Sequence, residues 1–404
     1  MKQIVVTGRG CLSALGPDRR TFAHKLMRGE SGIGPLTRFD ASALQIQVAA
    51  QIPDYHEKDW FTDNQLQQLD RFAQYGLLAA REAIAESGLD LSGALAQRTA
   101  VIIGTGTGGQ ETQEQSYHRL FEQKAKRFHP FTVPKLIHSS VASQISITHG
   151  ITGPAFTTSS ACSSAGHAIG MALLLLRAGL VDVAITGGSE ACITYGSIRA
   201  WEGLRVLAQE TCRPFCRQRE GMVMGEGAGV IVLETRAHAE ARGAVILAEL
   251  AGFGMSSDAF NLVQSRKEGP TQAMLAALQD AGLAPDEIDY INAHGTGTTL
   301  NDIVETQAIH AAFGHHASHV AVSSTKSMHG HALGAAAAIE AIACIEALQQ
   351  QIVPPTISFL DPDPQCDLDY VPNQARPMPI QAVLNNSFAF GGLNTTLVFK
   401  RCPG

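Results

Sequence analysis

The sequence is poor in charged and aromatic residues, and it has no apolar run long enough to suggest a membrane span. Charged residues make up 17% and aromatic residues 6% of its 404 positions; roughly 25% charged residues is typical of soluble domains. No run of about 18 apolar residues is found, so we expect no membrane span. The segment that begins Met1-Lys2-Gln3 lacks the long apolar stretch of a secretion signal. We therefore expect a cytoplasmic protein with a large buried core and an oligomer interface.

The sequence also lacks a basic excess and a pattern of paired cysteines. Its formal net charge of −7 argues against a general nucleic-acid binder. The eight cysteines are scattered along the chain, which predicts reduced thiols rather than a disulfide framework. Cys212 and Cys216 lie close together, but no second Cys or His pair follows at the spacing of a zinc site.

Short β-rich runs alternate with longer Ala- and Leu-rich runs of helical periodicity. Near-continuous apolar strands separated by helices are typical of an α/β fold, with a sheet covered on both faces. The order of elements is similar on either side of 240–243, so we predict two related halves, 1–243 and 244–404. The segment 112–130 has no apolar periodicity, and we interpret it as a capping insertion. The main predicted strands are 3–7, 100–104, 182–186, 230–234, 245–252, 289–292, 320–323, 382–385 and 396–400, and the main predicted helices are 71–87, 165–178, 269–281, 303–313 and 334–349.

A cysteine among small residues is the first candidate for chemistry. Cys162 lies in the run 157–166 (TTSSACSSAG), just before a mostly apolar segment that predicts a buried helix. Unpaired backbone N–H groups and the positive end of a helix dipole favour thiolate over thiol. The small neighbours leave room for an acyl group. A buried core cysteine is an equally compatible interpretation.

Three further segments place polar side chains where a strand meets a turn, which is where α/β folds bind ligands. They are 292–298 (NAHGTGT), 323–334 (SSTKSMHGHALG) and 385–394 (NNSFAFGGLN). Taken singly, each has a plainer interpretation: a hydrogen-bonded structural histidine, a solvated lysine, turn-capping threonines or packed phenylalanines.

Together and in this order, the segments resemble those of β-ketoacyl-acyl carrier protein synthases, the elongating, type II-like ketosynthases of the thiolase superfamily. The resemblance covers nearly the whole chain and includes 187–190 (GGSE), 213–215 (RPF) and 221–229 (GMVMGEGAG). It implies a thiolase-like fold, in which two similar α/β halves form a layered αβαβα architecture. It also implies an acyltransferase that condenses an acyl chain with a malonyl carrier thioester, in fatty-acid or in specialised polyketide or polyene biosynthesis.

The resemblance assigns a role to each matched residue. Cys162 would accept the acyl chain, and His294 and His331 would hydrogen-bond the enolate oxygen, with Lys326 ordering them. Glu340 would support Lys326. The remaining matches are Phe388, Phe390 and Gly391 on the gating turn, with the Phe390 N–H in the oxyanion hole, Thr296 and Thr298 as pantetheine contacts, and Thr107 and Trp201 as acyl-pocket walls. No metal or organic cofactor is implied for the reaction, although Asn292, Glu340, Asn385 and Asn386 match positions that hold a structural cation in relatives, and the sequence leaves that open.

Several positions depart from the family pattern. Ala389 replaces a glycine of the gating turn and should resist positive φ, which would slow opening of the gate. Thr107 is smaller and more polar, and Trp201 is larger, than the residues usual at those walls, so we expect a reshaped acyl pocket. His329 stands where relatives carry Thr or a small residue, and we interpret it as a capping or solvated histidine rather than a third catalytic base.

The expected partner is an acyl carrier protein, and the expected assembly is a homodimer or a heterodimer with a related ketosynthase. The segment 62–68 lacks the basic residues of relatives, whereas Lys126, Arg127 and Arg205 retain them. Because charge complementarity sets partner choice, this pattern suggests a dedicated carrier. Three alternatives remain: a non-catalytic chain-length factor, a coenzyme A-dependent thiolase and a scaffolding dimer. Retention of Cys162 argues against the first, and the absence of a second cysteine in 385–394 argues against the thiolase.

Overall fold

The computed structural model describes residues 2–402, and its helices and strands alternate along most of the chain. The strands are β1 (Ile4–Ser13), β2 (Gly34–Pro35), β3 (Val48–Ala49), β4 (Thr99–Gly104), β5 (Ala155–Thr158), β6 (Val183–Glu190), β7 (Gly227–Thr235), β8 (Ala248–Ser257), β9 (Tyr290–Asn292), β10 (Ala321–Ser323), β11 (Ile352–Val353), β12 (Arg376–Pro377), β13 (Ala382–Ala389) and β14 (Leu393–Lys400). The helices are α1 (Arg19–Met27), α2 (Asp63–Leu66), α3 (Arg71–Ser87), α4 (Gly93–Gln97), α5 (Gln110–Phe121), α6 (Thr132–Leu136), α7 (Ser140–His149), α8 (Ser164–Arg177), α9 (Tyr195–Leu204), α10 (Arg236–Ala241), α11 (Glu268–Ala281), α12 (Thr299–Phe313), α13 (Lys326–His329) and α14 (Ala336–Gln350).

Ten strands form one mixed sheet whose two ends repeat the same topology. Its order within residues 2–402 is β10-β9-β13-β14-β8-β1-β7-β6-β4-β5. One half contributes β1, β4, β5, β6 and β7, and the other contributes β8, β9, β10, β13 and β14. When the strands of each half are numbered one to five along the chain, both halves show the order third, second, fourth, fifth, first from the outer edge of the sheet to its centre. In both halves the outer three strands are parallel and the inner two antiparallel to their neighbours. This repeat confirms two similar α/β halves, while the boundary between 243 and 244 stays a prediction.

The two halves of the sheet enclose a central helical layer. β1 and β8 meet through the pairs Val5–Glu249 and Val6–Ala248 alone among the described residues. Both α8 and α14 contact strands from each half and contact each other, so they form the middle layer. α3 and α7 cover the outer face of the first half, and α11 covers that of the second, with α12 packed beside α11. The layered αβαβα architecture is therefore confirmed.

The central helix α14 is apolar enough to be mistaken for a membrane helix. With the turn before it, the 18-residue stretch Leu333–Gln350 meets the length and hydropathy of a membrane span, yet 89% of it is buried inside the protein. Helices that are hydrophobic all round occur in the cores of large proteins as well as in membranes. Its neighbours here are strands and α8, so the stretch is a core helix.

Most predicted elements are present, and the differences have local causes. The predicted helix 71–87 coincides with α3, which begins after Asp70, whose carboxylate accepts from Phe72 N, and ends at Gly88 in the left-handed region. The segment 112–130 is helical over its first ten residues, which belong to α5, and its interpretation as a capping insertion stays a prediction. That helix buries only Thr112, so it carries no apolar stripe. The edge strand β5 was not predicted, since none of its four residues is buried.

Candidate active site

Cys162 lies at a tight turn between β5 and α8. The preceding residue, Ala161, has a φ of 50°, a left-handed conformation that is costly for a residue with a Cβ. The small neighbours hold this turn in place. Ser164 Oγ donates to Ala161 O at 2.6 Å, and Ser160 N donates to Ser164 Oγ at 2.9 Å. The serines that the sequence suggested as free space for an acyl group are thus partly structural.

The structure brings Cys162, His294 and His331 together. The Cys162 sulfur and one ring nitrogen of each histidine lie within 4.8 Å of one another, and all three side chains are buried. The closest pair is Cys162 Sγ and His331 Nε2, at 3.1 Å, and the two imidazole rings are nearly perpendicular. All three line one cavity of about 260 Å³. A larger open cleft of about 750 Å³ between α5 and α9 contains none of them.

A buried carboxylate that the sequence did not indicate fixes the backbone at His294. Glu305 on α12 accepts hydrogen bonds from His294 N at 2.8 Å and from Gly295 N at 2.7 Å. Gly295 has a φ of 36°, and a Cβ there would lie 2.5 Å from Ser324 Cβ. The strand end β9 therefore turns sharply at the histidine. Glu305 follows His294 by 11 residues with no motif between them, so no pattern in the sequence points to it.

Lys326 and Glu340 form a fully buried ion pair, as the resemblance implied. The ammonium donates to Glu340 Oε1, and both side chains are completely inaccessible to solvent. Burial raises the pKa of Glu340 to about 7, against the opposing charge of Lys326. The Lys326 charge also lowers the pKa of Cys162, His294 and His331, the three residues that we call the triad. Lys326 does not line the cavity, so its effect on the triad is electrostatic.

Burial sets the protonation states of the triad. It raises the pKa of Cys162 to about 12, and Lys326 only partly offsets this. The sequence suggested that the helix N-terminus would favour the thiolate; in this closed pocket desolvation is the larger effect. Burial, reinforced by Lys326, holds the pKa of His294 and His331 well below the ordinary value. At neutral pH the site thus holds a thiol and two uncharged imidazoles.

Aromatic side chains close one side of the cavity. Phe388, Phe390 and Trp201 all line it, and the Trp201 and Phe390 rings stack at 5.7 Å with an interplanar angle of 24°. The positive φ angles of the gating turn fall on Gly391 and Gly392, whereas Ala389 is extended with a φ of −104°. The methyl group of Ala389 therefore introduces no strain in this conformation. The expected slowing of the gate stays a prediction.

The four predicted substrate contacts separate into two groups. Thr296 and Thr298 line the cavity, and their Oγ1 atoms are 2.9 Å apart. Trp201 also lines it. Thr107 is outside this cavity: its hydroxyl donates to Glu190 at 2.6 Å. Glu190 also accepts from Gly334 N at 3.0 Å, so it joins the loop after β4 to the start of the segment that carries α14.

Three buried acceptor oxygens among the possible cation ligands have no hydrogen-bond partner within residues 2–402. They are Asn292 Oδ1, Glu340 Oε2 and Asn385 Oδ1. Asn292 and Asn385 are direct neighbours on β9 and β13. Amide and carboxylate oxygens are the ligands that hard cations prefer, so this set fits a structural cation. Asn386 does not belong to the set, because its Oδ1 accepts from Thr396 Oγ1 at 2.9 Å.

The retained basic residues are exposed, as a docking surface requires. Arg205 follows α9 and lines the rim of the cavity, and Lys126 and Arg127 are exposed beyond α5. The segment 62–68 forms α2 and its flanks and carries no Lys or Arg. Arg205 is the one of these three basic residues that lines the cavity of Cys162.

Comparison with known proteins identifies the family. The model of the β-ketoacyl synthase N-terminal domain matches residues 1–239, and that of the C-terminal domain matches residues 247–360. Nodulation protein E of Rhizobium sp. (strain N33) is 46% identical over 400 residues, which cover 99% of each chain. The 3-oxoacyl-[acyl-carrier-protein] synthase 2 of Staphylococcus aureus (strain N315) is 41% identical over 407 residues, covering 99% of this chain and 98% of the relative.

A solved structure shows the same fold over the full length. The ishigamide ketosynthase/chain length factor superimposes with a TM-score of 0.95 at 33% identity, covering 100% of both chains. The family match spans both halves, and the relatives align from end to end. The chain therefore belongs to the β-ketoacyl synthase family and is a condensing enzyme of the acyltransferase type.

Proposed function

We propose that Cys162, His294 and His331 carry out a decarboxylative Claisen condensation between an acyl and a malonyl thioester. The observation that carries this proposal is the convergence of one thiol and two uncharged imidazoles in a single buried cavity. A buried pocket of this kind strengthens hydrogen bonds to developing negative charge and excludes water from reactive intermediates.

In the first half-reaction, Cys162 Sγ attacks the carbonyl carbon of the acyl thioester. A new C–S bond forms to Cys162, the bond to the carrier sulfur breaks, and the thiol proton ends on the departing carrier thiol. The backbone N–H groups of Cys162 and Phe390 stabilise the oxyanion. Removing one such donor typically costs about 3 kcal/mol of transition-state stabilisation.

In the second half-reaction, the malonyl thioester loses CO2 and leaves an electron pair on its α-carbon. His294 and His331 donate hydrogen bonds to the enolate oxygen; uncharged donors suffice where they are preorganised. The carbanion attacks the acyl carbonyl carbon, and Cys162 leaves as a thiolate that takes a proton from solvent. Thr296 and Thr298, which line the cavity, hold the pantetheine arm by hydrogen bonds.

Supporting residues act without touching the reacting atoms. Glu340 holds Lys326 in place, and Lys326 disfavours protonation of both imidazoles. A cation bound by Asn292, Glu340 and Asn385 would satisfy their oxygens and compensate charge behind the site. We place an acyl chamber beyond Phe390 with Thr107 on its wall, as the resemblance implies; Thr107 lies outside the present cavity, so an acyl chain reaches it only after Phe390 moves.

The partners follow from the relatives. The Staphylococcus aureus relative is named for an acyl carrier protein, and the ishigamide structure pairs a ketosynthase with a chain length factor. We assign this chain a carrier that docks at Arg205 and a dimeric assembly, with itself or with a related chain. The similarity to a 3-oxoacyl-[acyl-carrier-protein] synthase supports a cytoplasmic location.

Separate assays of the two half-reactions test these roles. Cys162→Ala should abolish the acyl adduct seen by intact-protein mass spectrometry but leave malonyl decarboxylation. His294→Ala and His331→Ala should slow CO2 release and leave acyl loading. Cys11→Ala, which removes a buried thiol from β1, is the matched control and should load normally. An acyl adduct on Cys162→Ala, or normal CO2 release by both histidine variants, would refute the assignment.

A further inference from the structure

His329 lies between two residues of the catalytic segment, Lys326 and His331, and is completely buried. It ends the short helix α13, and its ring packs against Phe22 with centroids 6.3 Å apart. It does not line the cavity. The solvated state considered for this residue is therefore excluded, and its imidazole must find its hydrogen bonds inside the protein.

Both ring nitrogens of His329 are engaged. Nδ1 lies 2.9 Å from Gly330 O, and Nε2 lies 2.9 Å from Thr325 Oγ1. A carbonyl oxygen only accepts, so Nδ1 carries the proton and donates to Gly330. Nε2 then holds a lone pair and accepts from the Thr325 hydroxyl. Burial lowers the pKa of His329 to about 3, in keeping with a ring that stays neutral.

The bond from His329 Nδ1 to Gly330 O is one of several hydrogen bonds that fix the peptide between Gly330 and His331. The Gly330 carbonyl is held by His329, and the His331 N–H on the same peptide donates to Val223 O at 2.7 Å. The next carbonyl, that of His331, accepts from Gly225 N at 2.9 Å. Gly330 itself has a φ of 67°, and a Cβ there would meet Ala50 Cβ at 2.6 Å.

The side chain of His331 has little direct support. Its Nδ1 has no hydrogen-bond partner in the described part of the chain. Metal-binding and catalytic histidines are commonly oriented by a bond to the second ring nitrogen. Here the direction of Nε2 toward Cys162 depends on the backbone at 330–331 and on packing.

We propose that His329 is a positioning residue for condensation, whose Nδ1–H fixes the Gly330–His331 peptide and so aims the imidazole of His331 at the reacting atoms. The inference rests on the proposed role of His331. The other ring nitrogen of His329, Nε2, is bonded to Thr325 Oγ1. That oxygen also lies 3.4 Å from Nδ2 of Asn292, which is two residues before His294, so the restraint extends to the second histidine segment. One neutral ring thus connects the segments that carry both catalytic histidines. It is not a third base, since both nitrogens are already engaged.

Three substitutions separate the two ring nitrogens. His329→Asn places an amide N–H near the position of Nδ1 and should keep the bond to Gly330. His329→Gln reaches only the position of Nε2, and His329→Leu keeps neither bond. The measurements are kcat and KM for decarboxylation of malonyl carrier, acyl loading of Cys162, and the thermal unfolding temperature of each variant.

We expect the Gln and Leu variants to lose about 10- to 100-fold in decarboxylation kcat, the cost of a small misplacement of a catalytic group. Their KM should stay within about threefold and acyl loading should persist, since Cys162 lies on another element. The Asn variant should stay within about threefold of wild type. If the Leu variant does not fold, the Asn and Gln variants decide the matter.

Two results would overturn the positioning role. One is a proportional fall of loading and decarboxylation in all variants, accompanied by a lower unfolding temperature, as expected of a purely structural residue. The other is a Gln variant as active as the Asn variant. His331→Ala is measured alongside: normal decarboxylation by that variant means that the proposed function of His331 has failed, whereas normal Gln and Leu variants beside an impaired His331→Ala refute the positioning role alone.

Discussion

The stack of Trp201 on Phe390 should set how readily the acyl chamber opens. The ring centroids lie 5.7 Å apart with an interplanar angle of 24°, within the range of favourable aromatic pairs. Such a pair contributes about 0.5–1.5 kcal/mol beyond its buried area. We expect Phe390 to move away from Trp201, by rotation of the backbone at Gly391 and Gly392, when an acyl chain enters. This movement breaks the stack and therefore costs its energy.

Trp201→Ala removes the stacking partner and should favour the open turn by about 2- to 13-fold, from 0.5–1.5 kcal/mol divided by RT. Rapid-quench measurement of transfer from decanoyl carrier to Cys162 reports this directly. Transfer from acetyl carrier serves as the internal reference, because two carbons do not need the chamber beyond Phe390. Trp201→Phe keeps an aromatic partner and should fall between wild type and the Ala variant.

The reasoning is refuted by either of two results. In one, Trp201→Ala leaves the decanoyl rate unchanged. In the other, it raises the acetyl and decanoyl rates by the same factor, which would mean that the side chain limits access of the pantetheine arm and not of the acyl chain.

Three further predictions concern charged residues. Burial raises the pKa of Glu305 to about 7, above the ordinary value of about 4.3. Between these two pH values the folded state binds more protons than the unfolded state, so the free energy of unfolding falls as pH rises. Glu305→Gln should weaken that fall in unfolding temperature between pH 5 and 7.5 and lower the temperature at every pH; an unchanged slope contradicts it. Lys326→Met leaves Glu340 buried without its partner at a cost of about 3–5 kcal/mol, so its unfolding temperature should lie below that of the double variant Lys326→Met/Glu340→Leu, and the reverse order would exclude a destabilising unpaired acid. Arg205→Glu should raise KM for acyl carrier protein and leave KM for a small thioester nearly unchanged. Arg401→Glu, beyond the far end of β14, should not raise KM for the carrier. Equal effects of the two substitutions would contradict docking of the carrier at the cavity rim.

Much of the fold was predictable because it is encoded in local patterns. The helices 71–87 and 269–281 have apolar residues at helical spacing, and the structure places α3 and α11 within one residue of those bounds. α5 escaped prediction because it is polar on nearly all sides. The edge strand β5 escaped because none of its four residues is buried, and only its pairing with β4 distinguishes it from a loop. The residues of the triad were predictable only through motif order.

The supporting residues were beyond prediction for a different reason. Glu305, Glu190 and the two ring bonds of His329 act on backbone groups, and backbone N–H and C=O groups leave no trace in a sequence. His329 illustrates this, since a buried positioning ring and a solvated cap have the same letter and the same neighbours along the chain.

The sequence by itself determined the order of most helices and strands, the duplicated layout and the candidates for the reacting groups. Only the tertiary structure brought Cys162 and His331, 169 residues apart, to 3.1 Å, and only burial turned the thiol and imidazoles into uncharged groups at neutral pH. Periodicity and motifs act over a few residues, whereas desolvation and contact depend on every element packed around the site. The chemistry of this protein therefore depends on a cavity that no single segment contains.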